Sequence, residues 1–410
     1  MKIGLLAVIW LNSVCAFASI IEVGGSAKFS RLKDALAQCF DGDTIIVHEG
    51  VYFEGNIIVD KRICLLGDGW PILDGENQFE VLSIKHDSVV VKGFKVMNSG
   101  LSGNIDYAGI KIYDSNKVVI ENNVLENTFF GIYTQFGKGC IIRDNVLTSN
   151  GGEEIHCGNG IHCWKCDSMQ IIHNTIKGHR DGIYFEFVTH SIIWRNISLA
   201  NVRYGLHFMF SNNDHYVANV FEENGAGVAV MFSKQVSMHG NYFANNWGDA
   251  AYGILLKEIS DGAIEGNTFV QNTTGIFMEG VNRIVMNRNA FIGNGWGLKI
   301  QASCMDIVLK RNDFIGNSFD VGTNGSLVLN TFSNNYWDNY EGYDLDHDGV
   351  GDVPYRPVSL YSIIVEQNPT AMMLFRSFIT TVMDKTERVM PSLIPENLVD
   401  KEPLLKPSVV

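Results

Sequence analysis

His207 and Met209 stand two residues apart in the segment YGLHFMFSNNDHY, Tyr204 to Tyr216, and Met231 follows Met209 by 22 residues. An imidazole with thioethers and no thiolate is a soft donor set. It suits Cu(I) better than Zn(II) or Mg(II). Such residues can share an ion only if the fold brings them together. The bland alternative is that exposed Met fills gaps or makes a sticky contact surface and that a lone His is merely solvated.

Three other clusters carry possible chemistry. The run DLDHDGVGD places Asp344, Asp346, Asp348 and Asp352 at positions one, three, five and nine of a calcium-type loop, with Gly349 at the turn position. Position twelve is Tyr355 where a bidentate Glu belongs, so calcium binding of a weaker kind competes with a plain acidic turn. His156, Cys157, His162, Cys163 and Cys166 hold half of a zinc or redox spacing, and a Cys157–Cys166 disulfide is an equal alternative to a ligand role. The segment GHRDGIYFEF offers His179, Arg180, Asp181 and Glu186 as acids and bases for a polysaccharide lyase, hydrolase or epimerase. Asp181 is placed at a bend, however, and no carboxylate pair at glycosidase spacing is evident.

The elements that must position these residues come from a repeat. Glycines 109, 131, 160, 182, 205, 227, 253, 275 and 297 each precede an apolar-x-apolar triplet, mostly 22 or 23 residues apart. Asparagines 123, 145, 174, 196, 219, 241, 267, 289 and 312 keep the same step. Two residues after the Asn runs a third column that becomes Phe221, Phe243, Phe269, Phe291 and Phe314. This pattern predicts an all-β fold, a right-handed parallel β-helix, with the Asn amides bonding from rung to rung and the Phe column stacked inside. The longer spacings of 29 and 26 are loops, the first being SNGGEEIHCGN, Ser149 to Asn159.

In each strand the residues two and four after the glycine should face outward. The first column then reads Lys111, Tyr133, His162, Tyr184, His207, Ala229, and the second Tyr113, Gln135, Trp164, Glu186, Met209, Met231. One outer face would present His162, Glu186, His207, Met209 and Met231 as copper candidates. Met209 and Met231 would lie about 4.8 Å apart on adjacent rungs. Met238, in an inward column with Ile193 and Ile264, is expected in the core.

Both ends should be covered. Ser30 is expected to cap a short helix carrying Leu32, Ala35, Leu36 and Cys39 on one stripe. Asn368-Pro369 should begin an amphipathic helix with Met372, Phe375, Phe378, Ile379 and Val382 on one side, followed by an extended tail. Residues 1–18 read as a secretory signal, 19–340 as the β-helix with its cap, 341–356 as the Asp-rich loop and 357–410 as helix and tail for partner docking. Loss of Cys15 with the signal leaves seven cysteines, an odd number for an oxidising compartment. A net charge of −14 argues against nucleic acid or an anionic membrane as partner.

The segment RYGLHFMFSNND, followed one rung later by GVAVMFS, resembles the NosD family, periplasmic maturation proteins of nitrous oxide reductase. The stretch NNYWDNYEGYDLDHDGVGDVPYRPVSLYSIIVEQNPTAMMLFRSF is similar to that family's C-terminal signature. The resemblance covers the whole chain after the signal. It implies a β-helix of the carbohydrate-binding and sugar-hydrolase repeat type, with no catalysis of its own. It also implies copper-site assembly beside an ABC-type ATPase and permease, with a copper chaperone as donor and apo nitrous oxide reductase as recipient. Membrane contact would be through the permease alone.

Overall fold

A computed structural model describes residues 18–150, 152–325, 329–375, 377–389 and 398–408; the predicted signal therefore lies almost wholly outside the described residues. Three parallel sheets of 14, 12 and 13 strands wind around one axis, so that each turn of chain gives about one strand to each sheet. Sequence columns become register columns. Met209 pairs with Met231, and His207 with Tyr184 on one side and Ala229 on the other.

The Asn column is a continuous buried ladder. The backbone and side-chain amides of Asn219 both donate to Asn241 Oδ1 at 3.0 Å, and the same pair of bonds recurs from Asn123 to Asn335. A second ladder, at a different bend, runs from Asn201 through Asn224, Asn246, Asn272 and Asn294 to Asn317. These amides satisfy buried donors that a turn would otherwise orphan. Inside, Phe221, Phe243, Phe269, Phe291, Phe314 and Trp337 stack with centroid spacings from 5.3 down to 4.3 Å. The glycine column makes room for this stack: a Cβ on Gly205 would meet Phe221 Cδ1 at 2.8 Å and Gly227 O at 2.7 Å. Met238, Ile193 and Ile264 are fully buried, as expected of core residues.

The N-terminal cover, α1 (Leu32–Gln38), buries the predicted stripe of Leu32, Ala35 and Leu36, with Cys39 just beyond it. Ser30 does not cap it. Glu54, from the following turn of chain, accepts hydrogen bonds from the Leu32 and Lys33 amides at 2.6 and 2.9 Å. Lys61 donates to the Leu36 and Cys39 carbonyls at the other end. Carboxylate and ammonium thus complement the two ends of the short helix dipole.

The C-terminal helix also departs from expectation. Asn368-Pro369 ends a helix and does not start one. Helix α2 (Leu360–Gln367) stops there, Pro369–Leu374 forms a 3-10 turn, and α3 (Phe378–Val389) follows. Proline disfavours helical geometry in the residue before it, and Asn368 is accordingly extended at φ −140° and ψ 90°. Tyr361 and Val365 of α2 pack on Trp296 and Phe319 at the far end of the 12-stranded sheet.

Candidate metal centre

The outer face of the 12-stranded sheet carries both predicted columns in register. Met209, Met231 and Glu186 are half-buried there. His207 faces out from the solenoid but is only 5% exposed. This corrects the expectation of a solvent-facing imidazole. The ring is enclosed by Tyr184 and Tyr204, with centroids 4.9 and 4.8 Å away. Both come from the same face, Tyr204 from a column one residue before the glycine.

His207 Nε2 is buried without a hydrogen-bond partner in the structure. Its Nδ1 lies 3.5 Å from Asp181 Oδ2 and 3.4 Å from Arg203 Nη2. Arg203 grips Asp181 with two bonds, Nε to Oδ1 at 3.0 Å and Nη2 to Oδ2 at 2.8 Å, and reaches Glu154 on the Ser149–Asn159 insert at 3.1 Å. Asp181 is fully buried at the start of the Asp181–Glu186 strand, not at a bend. Burial alone would raise its pKa, but the hydrogen bonds from His207 and Arg203 hold it below the ordinary carboxylate range. A buried, unpaired imidazole nitrogen is costly. Here it lies two residues from Met209, whose sulfur already accepts the Tyr184 hydroxyl at 3.5 Å.

His162 stands two rungs from His207, about 9.6 Å along the axis by rung spacing, with the Tyr184 ring between the two imidazoles. It stacks on Tyr133 at 4.3 Å, and its Nδ1 contacts Asn159. Burial, aided by the charge of Arg180, pushes its pKa down to about 3, so the ring stays neutral. His162 Nε2 is unpartnered too, as are both nitrogens of the core residue His179. An orphan nitrogen alone therefore does not mark a metal site. The soft pair beside His207 distinguishes it, and Glu186 borders that pair as the register partner of Met209.

The side chains of Phe187, Phe210 and Phe232 follow Glu186, Met209 and Met231. They are exposed and stack at 5.2 and 5.1 Å along the edge of the face. At the far end of the face, α2 is fastened by a Lys299–Glu366 ion pair at 2.6 Å.

The seven described cysteines are all free, so the Cys157–Cys166 disulfide does not form. Cys163 points into the core, and burial raises its thiol pKa well above the usual value. Such thiols are poor ligands and nucleophiles. In the acidic loop the carboxylates of Asp344, Asp346 and Asp348 converge within 4.8 Å of one another. Asp352 is spent on the Leu345 amide at 2.7 Å, and Tyr355 packs against Trp337.

Comparison with known proteins decides the family. A profile described as "Periplasmic copper-binding protein (NosD)" matches residues 40–157 and 151–342. The chain belongs to the NosD family. A relative named "Probable ABC transporter binding protein NosD" from Pseudomonas aeruginosa is 27% identical over 95% of this chain and 94% of its own length. One of the same name from Stutzerimonas stutzeri is 26% identical over 86% and 85%. Solved structures show the same fold at low identity. The Streptococcus pneumoniae surface adhesin PfbA has a TM-score of 0.57 at 12% identity, covering 78% of this chain and 91% of that one. The A-module of the Azotobacter vinelandii mannuronan C-5 epimerase AlgE6 has a TM-score of 0.53 at 13%, covering 74% and 92%. The NosD family is periplasmic and copper-binding, and no described helix here is long and apolar enough to cross a membrane.

Proposed function

We infer that this NosD-family chain is an exported copper carrier in the maturation of nitrous oxide reductase. Cu(I) is its cargo, held by His207 Nε2 with the sulfurs of Met209 and Met231. The observation that carries this reading is the buried, unpartnered His207 nitrogen on the same strand as a thioether whose register neighbour is a second thioether. Neutral nitrogen and sulfur donors suit a soft monovalent ion. Three such donors without a thiolate bind it and still release it. A copper chaperone supplies the ion and the apo-reductase receives it.

Met373, Phe378, Ile379 and Val382 around α3 are exposed, with Phe378 at 81%. An apolar patch of this kind on an otherwise covered end is suited to a protein partner. The names of the relatives point to an ABC-type permease and its ATPase. Calcium at Asp344, Asp346 and Asp348 would be a separate, structural site.

The deciding experiment is a Cu(I) titration against a chromophoric chelator. Wild-type protein should bind one equivalent at this site, and the His207→Ala, Met231→Ala double variant should lose it while keeping its β-sheet circular dichroism. Unchanged stoichiometry in the folded double variant would refute the site.

A further inference from the structure

The Cys163-x-x-Cys166 pair has no part in the copper reading. Both residues are buried, one on the strand Ile161–Trp164 and the other just past the bend that closes it. The rung below shows how near these two positions are. Thr134 pairs with Cys163 and Lys138 with Asp167, so Gly137 lies beneath Cys166. A Cβ placed on Gly137 would stand 2.5 Å from Thr134 Cγ2. The next rung fills the matching places with the Cys166 Cβ and the Cys163 side chain, and the two thiols are within hydrogen-bonding reach of each other. Other rungs put serine at the Cys166 corner. Ser115, Ser211 and Ser233 each donate to the carbonyl two residues earlier, at 2.7, 3.0 and 2.9 Å. Cys166 makes the same contact with Trp164 O at 3.3 Å, but a thiol is a weak donor and loses little by leaving it. Cys157 is turned elsewhere, toward the Glu153 and Glu154 carbonyls at 3.7 and 4.0 Å. Cys140 is near, yet among the described residues no three thiols converge as metal ligands would.

We propose that Cys163 and Cys166 are a disulfide-forming site, reduced in the structure and joined in the mature periplasmic protein. The periplasm is a compartment in which disulfides form and persist. The oxidant is a disulfide-bearing protein or small molecule, and the exchange takes place before this rung closes, while both sulfurs are still exposed. The Cys166 thiolate attacks the oxidant's S–S bond, forms a mixed disulfide and releases one thiolate; the Cys163 thiolate then attacks Cys166 Sγ and releases the second. The cysteine pair gives up two electrons to the oxidant, and its two protons end on the two thiols released. Closure of the neighbouring rungs then shields the bond. It ties the bend to the strand that carries His162 and Trp164 on its outer side, so the covalent link lies directly behind the aromatic and imidazole column. The proposal stands whether or not the outer face binds copper.

The test needs only wild-type protein recovered from the periplasm, unfolded without reductant in excess N-ethylmaleimide and digested with trypsin. Lys165 lies between the two cysteines, so cleavage after it leaves peptides 144–165 and 166–177 held together only through sulfur. Mass spectrometry should find them as one species, with the label on Cys157, that separates on reduction; five of the seven described cysteines should carry the label. Cys163→Ser should release the two peptides and leave Cys166 labelled, and if that variant fails to fold the wild-type digest still decides. Separate peptides from wild type with Cys163 and Cys166 both labelled would overturn the proposal, and so would Cys166 joined to Cys140 or Cys157.

Discussion

Asn241 shows how single side chains hold this solenoid. Its Oδ1 accepts both amides of Asn219, while its own side chain donates to Asn267 and to the Tyr216 carbonyl. Asn241→Ala would leave two buried donors of Asn219 without an acceptor, each worth roughly 1–3 kcal/mol. Calorimetry should show a clearly lower melting temperature, and Cu(I) affinity should hold, because the ladder runs along a bend away from the proposed copper face. Asp214 carries a pH-dependent cost of the opposite kind. Burial, aided by the charge of Asp167 and opposed by the Ser191 amide, raises its pKa from 3.8 to about 8. The folded protein then binds this proton more tightly than the unfolded chain, so stability falls as pH rises from about 4 to about 8. Asp214→Asn keeps an acceptor for Ser191 and removes the titration. Its melting point should exceed wild type at pH 8 and converge with it at pH 4; equal melting points at pH 8 would show that this carboxyl imposes no such cost. At this scale the sequence was partly legible. The columns placed Met209 beside Met231 because a parallel register repeats them. They missed the burial of His207, because Asp181 and Tyr204 belong to a column before the glycine that a strict two-residue alternation assigns to a bend. The second Asn ladder lies five residues after the first and in the same phase of the sequence.

Elements outside the repeat were harder to read, since no neighbouring rung constrains them. Helix α1 was visible from its apolar stripe. Its caps, Glu54 and Lys61, are supplied across 21 residues or more by the next turn of chain, and no local signature announces them. The C-terminal helix was expected to start at Asn368-Pro369, whereas that pair ends α2 and separates it from the 3-10 turn and α3. The break has a consequence for partner binding. Tyr361 and Val365 of α2 anchor the segment on Trp296 and Phe319, and Phe375 joins that cluster. Phe378 and Ile379 of α3 are left outward. Anchoring falls mainly on α2, with Met383 of α3 packed against the same cluster, and the outward side of α3 is the proposed docking surface. Replacing Phe378 and Ile379 by Glu should abolish co-purification with the transporter subunits and leave both melting temperature and Cu(I) affinity unchanged. Retained co-purification would move the docking surface elsewhere, with the exposed Phe187–Phe210–Phe232 stack the next place to probe.

For the whole molecule the decisive feature is how the stack ends. The last Asn of an amide ladder needs a further acceptor for its own NH2 group; the second ladder ends on Asn317, whose Nδ2 donates to Phe291 O at 3.0 Å and Asp320 Oδ1 at 3.3 Å, and the first ladder faces the same need at Asn335. The chain resolves this by returning. Residues 398–408 run back under the last turn, and Asp400 takes the next place in the Asn column. Its Oδ2 accepts Asn335 N and Nδ2 at 3.0 Å and Trp337 Nε1 at 3.1 Å. A carboxylate only accepts, so the ladder closes with no donor left over. Leu398 is buried in the core, bridges pair Asp400 with Phe332 and Leu404 with Tyr336, and Ser408 bonds Asp313. The tail therefore covers the last strand edges, which would otherwise be free to pair with another chain. In a linear repeat each rung is supported mainly by its neighbours, so damage at one end should stay near that end. Deleting residues 398–410 should accelerate amide exchange around Thr331–Trp337 and leave Asn219–Phe243 protected. Melting should broaden and shift down, Cu(I) affinity should persist because the proposed copper face lies several rungs away, and light scattering should detect concentration-dependent self-association through the uncovered edge. Exchange that quickens uniformly along the solenoid would show the stack to be one cooperative unit, and a monodisperse truncated chain with wild-type melting would remove the tail from the account of how this fold is closed.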